Sequence, residues 1–302
     1  MKIFDCTTFY NENLMLETRF NILNDFVDKF VITEAKYSHS GEKKKLNFDF
    51  NRFKQFKKKI IYLIVSNEPD TLVYEKKENN VMFEKDENKR QNSIKRIAHQ
   101  RDNLLMGLNE ADEEDYIFYS DNDEIPNFVN FDFKNNKSKI IMFKQKLFYY
   151  KFNLYCDRVD WYGTKGCKKK YLKSFSWLRE IKAKKYPFIR IDTFFSSNKY
   201  MDLKIINNGG WHFSRLMSPK DMEIKLTNSE DHHEFKLGKM KLSYIEDLVK
   251  RKVIEYDHKA KTTDYKFGKE FKLKTLPMEY MPLFLRQNVN KYSEWFDFEK
   301  IE

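Results

Sequence analysis

The sequence predicts an α/β fold on a mostly parallel central sheet, and three observations lead there. Apolar runs suited to buried strands alternate with segments of helical periodicity through Tyr119. One run, Ile60 to Val65, is apolar almost throughout, as a strand covered on both faces must be. Another, Tyr116 to Tyr119, ends abruptly in Asp121, Asp123 and Glu124, with Pro126 closing the strand. Ligands of such sheets bind outside the carboxyl ends of the strands, so carboxylates at a strand exit form a candidate site.

The elements follow in order. Lys2 to Cys6 reads as a first strand. From Asn13 a helix is predicted, with Leu16, Phe20, Leu23 and Val27 on one apolar face. Phe30 to Glu34 is a second strand, Ser38 to Gly41 a loop, and Ile60 to Val65 a third strand. Residues 66–88 are polar and charged and read as an irregular surface excursion. A long helix is expected from Lys89 to Leu108, with Ile94, Ile97, Ala98, Arg101, Leu104, Leu105 and Leu108 on one side. Arg101 is the only charge in that stripe; it either snorkels at the margin or aims at an anion near the sheet edge. After the carboxylates, Lys139 to Asn153 contains two strand-like segments, and Trp161 to Lys165 reads as a turn. Ser218-Pro219-Lys220-Asp221 is a helix start, and Ser243 to Glu246 a capping box. The C-terminal third is therefore helix-rich, packing on the sheet or covering the site. With no repeat and no Pro- or Gly-rich linker, residues 1–302 read as one domain, a 1–126 half followed by a 127–302 half.

Composition narrows the function. The 302 residues are 41% hydrophobic and 17% aromatic, enough for a core and against disorder. No apolar run is long enough to span a bilayer, and the opening MKIFDCTTFY lacks the apolar core of a signal peptide, so a cytoplasmic location is expected. Three widely spaced cysteines, Cys6, Cys156 and Cys167, argue against a disulfide framework or structural zinc. The net charge is +11, with lysine clusters at 43–45, 57–59 and 168–170. Such a surface suits anionic substrates, peripheral contact with an anionic membrane, or solubility alone. No nucleic-acid-binding motif accompanies the lysines, and no nucleic-acid partner is expected.

Asp121, Asp123 and Glu124 suit magnesium or manganese shared with a substrate phosphate, because these ions keep positions open for substrate oxygens. Asp123 is the expected direct ligand, Asp121 a ligand of the ion or of a ribose, and Glu124 an orienting group. A second constellation is NNGGWHFS, Asn207 to Ser214: its glycines permit close backbone approach, Trp211 offers a stacking face, and His212 is a candidate late metal ligand. His232 and His233 form a second histidine pair that matches no established zinc spacing. Arg179 is a candidate diphosphate clamp. For a base that deprotonates an acceptor hydroxyl, Asp231, Glu230 and Glu180 are candidates, and the sequence does not choose among them.

These motifs assemble into a familiar order. The opening IFDCTTFYNENLMLETRFNILNDFVDKFVITEAKYSHSG, then SDNDEIP, GGWHFS, IKLTNSEDHHE and LPMEYMPLFLRQN together resemble glycosyltransferase family 17, the β-1,4-mannosyl-glycoprotein 4-β-N-acetylglucosaminyltransferase family. The acidic segment is similar to the Asp-x-Asp motif of nucleotide-sugar glycosyltransferases. The resemblance implies a GT-A-like fold, an inverting mechanism, a UDP-sugar donor such as UDP-N-acetylglucosamine, and Mn2+ or Mg2+. It assigns the ion to Asp121, Asp123 and His212. It places Glu12, Arg19, Asp121 and Trp211 at the donor, with Glu17 also in the opening block, and the residue reading adds Arg101 and Arg179 as donor-binding cations. Animal members are membrane-anchored, and Phe213 stands where related sequences often carry cysteine. A polysaccharide, glycolipid or glycoprotein is the implied acceptor. Two other functions share the acidic motif or the aromatic content: a metal-dependent nuclease or phosphotransferase, and a non-catalytic carbohydrate-binding module.

Overall fold

The computed structural model describes residues 1–76, 82–83, 85–184, 186, 196–200, 202–228, 241–259 and 268–298. Its strands are β1 Ile3–Phe9, β2 Lys29–Ala35, β3 Ile60–Val65, β4 Glu75–Lys76, β5 Met82–Phe83, β6 Tyr116–Ser120, β7 Glu124–Pro126, β8 Ile140–Tyr149, β9 Leu154–Lys168, β10 Leu203–Ile206, β11 Gly210–Ser214, β12 Val253–Ile254, β13 Phe271–Lys272 and β14 Lys274–Thr275. Its helices are α1 Asn13–Leu23, α2 Asp86–Asp102, α3 Phe175–Glu180, α4 Pro219–Asn228, α5 Leu242–Arg251 and α6 Leu283–Gln287.

The main sheet runs β3-β2-β1-β6-β9-β8-β11-β7, with β10 beside β8 and β14 beside β9. Its first four strands are parallel, and β9 enters antiparallel between β6 and β8. This is the α/β architecture with a helix-rich C-terminal part that the sequence predicts, and it agrees with the GT-A-like expectation. Side chains alternate across the sheet as a two-residue period requires. Ile3, Phe30, Ile32, Tyr116, Phe118, Ile141 and Phe143 face one core with Leu16 and Phe20 of α1 and Leu285 of α6. Phe4, Val31, Ile117, Tyr119, Ile140 and Met142 face the other with Leu104, Phe175 and Leu178. Strands at the centre are thus buried on both faces, which explains their nearly unbroken apolar sequences. A third cluster joins Leu147 and Cys156 to Met222, Leu226 and Ile245, seating α4 and α5 on the far ends of β8 and β9.

Several local expectations are corrected. β3 is the edge strand, so Ile64 is 47% exposed rather than covered. Ile140–Tyr149 is one strand, not two, and Trp161 to Lys165 lies inside the 15-residue β9 instead of a turn. α2 buries a polar face: Asn92, Arg96 and Gln100 are inside while Ile94 is exposed, as is Leu105 in the turn that follows the helix. The reason is hydrogen bonding. The Gln100 amide donates to Phe9 O and Thr33 O, Asn92 pairs with both backbone groups of Val73, and Arg96 holds Glu68 and Tyr74. Buried polar groups satisfied in this way need no apolar stripe. α5 begins at Leu242, with Lys241 and not Ser243 at its cap.

One interaction fixes the site from below. Arg19 of α1 is fully buried, its Nε and NH2 grip Asp5 of β1 at 2.6 and 2.5 Å, and its NH1 donates to Glu124 O at 2.8 Å. Removing one member of a buried ion pair strands the other charge. Arg19→Met is therefore expected to destabilise the protein by about 3–5 kcal/mol in urea denaturation. Asp5→Asn combined with Arg19→Met is expected to cost less than the single change; an equal or larger cost would deny the pairing.

Candidate active site

The carboxyl ends of β1 and β6, the start of α2's last turns, and α3, α4 and β11 enclose a cleft of about 410 Å³. Its acidic floor exists because β6 stops at Ser120 and the chain turns at once into β7, where Glu124 N returns to Asp121 O at 3.0 Å. Asp121, Asp123 and Glu124 therefore project from one tight corner, with Glu12 opposite.

Each carboxylate has its own counter-group. Asp121 Oδ1 accepts from Tyr119 OH at 2.8 Å, and its Oδ2 meets Arg179 NH2 at 2.8 Å, with Arg101 NH2 3.8 Å from Oδ1. Burial opposes ionisation of Asp121, but Arg179 and then Arg101 outweigh it and hold the acid well below its usual range. Glu124 is fully buried; its Oε1 accepts from Trp161 Nε1 at 2.6 Å and lies 3.3 Å from Arg179, while Oε2 accepts from Asp121 N at 2.9 Å. Burial and the neighbouring Asp121 push its carboxyl up despite Arg179. Arg179 reaches both acids because Ser174 caps α3 and Ser176 N donates to Asp102 Oδ1 at 2.7 Å, docking α3 on the end of α2 that carries Arg101.

β11 supplies the third wall. It pairs antiparallel with β7, His212 opposite Glu124, and Phe213 N donates to Asp123 O at 2.8 Å. The approach requires Gly210: its φ is +125°, and a Cβ would sit 2.8 Å from Asn127 N. His212 Nε2 lies 3.4 Å from Asp123 Oδ2, under the Trp161 ring at 4.5 Å between centroids. Burial disfavours the imidazolium, yet Asp123 reverses the balance and raises its pKa. Trp211, one residue earlier on the strand, points to the opposite face, donating from Nε1 to Tyr280 O at 2.7 Å.

The structure thus brings Glu12, Arg101, Asp121, Asp123, Arg179 and His212 together around one cleft. Arg19 lies beneath it as the buried support, and Trp211 lines a separate groove with Phe128 and Leu283. Glu17 is tied to Arg52, Lys291 and Tyr292. Glu180 is exposed at the end of α3 and does not line the cleft. Glu230, Asp231, His232 and His233 lie outside the described residues.

Sequence reasoning missed five cleft or near-cleft residues: Lys225, His39, Trp161, Tyr119 and Lys165. Lys225 Nζ meets Glu12 Oε1 at 2.9 Å, and although burial opposes it, Lys225 helps hold Glu12 at about 2. His39 is pushed down to about 4 by burial. Lys165 donates to the carbonyls of Arg179 and Ile181, closing the C-terminal end of α3, and burial brings its amine down to about 7. Trp161 was masked by Gly163, which looked like a turn residue. In the structure that glycine makes room for Glu124, whose Cδ would lie 2.7 Å from an added Cβ.

Among the described residues no three His, Cys, Asp or Glu side chains converge as a metal cage. Asp123 and His212 do fit as two adjacent ligands of an ion that completes its shell with substrate oxygens and water, since ligand atoms about 2.1 Å from one ion lie about 3 Å apart. His212 Nδ1 and Asn122 Oδ1 are buried there without a hydrogen-bond partner among the described residues. Asp121, as placed, is engaged by two guanidiniums and a phenol rather than by that pair.

The family model described as glycosyltransferase family 17 matches residues 1–183. No curated protein matches the chain. Among solved structures, the inositol-1-phosphate CTP transferase from T. maritima is similar at 12% identity and a TM-score of 0.31, over 69% of this chain and 87% of that one.

The His212–Asp123 pair has a definite pH signature. Asp123 is lowered from 3.8 by His212 against the cost of burial, and His212 is raised from 6.5. The pair's stabilisation is complete between those two values, fades as pH falls through the lowered Asp123 value, and fades as pH rises through the raised His212 value. In metal-free protein, NMR titration of the His212 ring should give a pKa above 6.5, and Asp123→Asn should lower it, because burial is then opposed only by the weaker pull of Glu124 and Asp121. A ring pKa that does not move in the variant would contradict the pairing.

Proposed function

The chain belongs to glycosyltransferase family 17, and from that premise we propose a metal-dependent inverting transfer of N-acetylglucosamine from UDP-N-acetylglucosamine to a glycan acceptor, a polysaccharide, glycolipid or glycoprotein. The observation that carries this reading is the Asp123–His212 pair standing beside the Arg179–Asp121–Arg101 cluster at the exit of β6. Bound there, Mn2+ or Mg2+ would supply Lewis-acid neutralisation of the departing diphosphate.

The protein's own groups do the rest. Asp123 and His212 would hold the ion's protein side. Arg179 and Arg101, both positioned on Asp121, present fixed positive charge where the leaving group gains negative charge, at no cost in reorganisation during the reaction. Glu124, sealed behind Trp161, fixes the Asp121 backbone and orients Arg179. Inversion requires a carboxylate to take the acceptor proton from the side opposite the diphosphate. Glu180 lies outside the cleft lining, so the proposed base is Glu230 or Asp231, which follow α4 in sequence. No described helix is long and apolar enough to cross a membrane. The proposed setting is the cytoplasm, with peripheral contact between the +11 surface and an anionic membrane.

Thermal unfolding tests this reading. UDP-N-acetylglucosamine with Mn2+, each at about 100 times its Kd, should stabilise the wild type by about 2.7 kcal/mol. Asp123→Ala should abolish the metal-dependent part while its far-UV circular dichroism stays unchanged. Equal stabilisation with and without metal, or none with any UDP-sugar, would reject the proposal; nucleic-acid cleavage with no UDP-sugar response would transfer it to the nuclease class.

A further inference from the structure

Lys225 has no part in the sequence-based site, yet among the described residues it is the one lysine in the cleft lining. It projects from α4, and its side chain remains 34% exposed while its Nζ rests on Glu12 at 2.9 Å. Glu12 belongs to the loop between β1 and α1, so the ion pair joins segments 213 residues apart across the mouth of the cleft.

The partners are unequally committed. Glu12 Oε2 also accepts from Tyr10 N and Asn11 N, both at 3.1 Å, and from Asn122 Nδ2 at 3.4 Å. These three donors hold Oε2 in place if Lys225 leaves, while Oε1 gives up its lysine partner. Lys225 has Glu12 as its hydrogen-bonded carboxylate, and it lines the same cleft as Asp121 and Asp123. Arg179 is fixed by Asp121 and Glu124, and Arg101 by Tyr119. Of the three permanent cations lining the cleft, Lys225 is the most exposed and is hydrogen-bonded to a single carboxylate.

We propose that Lys225 is a diphosphate-binding residue, resting on Glu12 in the free protein and turning to the phosphates of a nucleoside diphosphate when one enters beside Asp123 and His212. This rests on the nucleotide-sugar reading above and extends it to a residue which that reading does not use. An ammonium on a flexible four-carbon stem suits this exchange, because it binds phosphate as a point charge and needs no fixed fork geometry. The exchange also links α4 to the donor.

Calorimetric titration of the full chain with UDP, UMP and uridine, each with Mn2+, tests the assignment. Lys225→Gln should weaken UDP at least 10-fold, UMP less, and uridine not at all, whereas Lys225→Arg should keep most of the UDP affinity. UDP binding unchanged in Lys225→Gln would overturn the proposal. So would equal losses for UDP and uridine, since a merely structural ion pair would not discriminate by phosphate. If the Gln variant melts early, Lys225→Met, which keeps the apolar stem, carries the same comparison. A wild type that binds no UDP would remove the donor reading itself, an outcome distinct from a wild type that binds UDP and a variant that binds it equally well.

Discussion

Four carboxylates around one strand end impose the constraint on which this structure turns. Glu12, Asp121, Asp123 and Glu124 line a single cleft, and desolvation works against the ionisation of each. Such a cluster folds only if cations are delivered to it. The chain delivers them from separate elements: Arg101 from α2, Arg179 from α3, His212 from β11 and Lys225 from α4. The resting protein is a set of ion pairs, and ligands that bring both signs of charge, a divalent cation and a diphosphate, can exchange partners within it while changing its net charge little.

Two layers of support keep the pairs in register. Below the floor, Arg19 joins β1, α1 and the Glu124 carbonyl, so the acidic corner is anchored to the most deeply buried part of the sheet. Beside it, Lys165 ties down the last carbonyls of α3, and Ser120 and Thr164 join β6 to β9 through their hydroxyls at 2.7 Å. These residues do not need to touch a substrate to matter. They set where Arg179 and Asp121 stand, and a small displacement of a pre-organised charge is costly in a water-poor site.

Much of this was legible in the sequence, and the exceptions have physical causes. The strands announced themselves because a sheet buried on both faces needs unbroken apolar runs, and the acidic corner because a strand that ends in three carboxylates breaks that pattern so sharply. The Gly-Trp-His segment was legible in type but not in direction: strand alternation sends His212 to the cleft and Trp211 away from it, and only the pairing of β11 with β7 fixes which is which. Arg19 looked like a donor ligand since the sequence cannot separate a cation facing a pocket from one buried beneath it. The polar face of α2 was misread because Gln100 finds its partners on β1 and β2, and Arg96 on distant loops. Trp161 was hidden by a glycine whose purpose is to admit Glu124, and Lys225 by an unremarkable lysine in an amphipathic helix whose partner lies at the other end of the chain.

The central claim is that the Asp123–His212 corner holds a divalent cation which meets the diphosphate of a nucleotide. The most direct measurement is anomalous diffraction at the manganese edge from crystals grown with Mn2+ and UDP. The account predicts a single strong peak in the cleft within coordination distance of Asp123 Oδ2 and His212 Nε2 and in contact with the phosphates. A nucleotide bound in the cleft with no anomalous peak at that corner, or a peak at another site altogether, would contradict it.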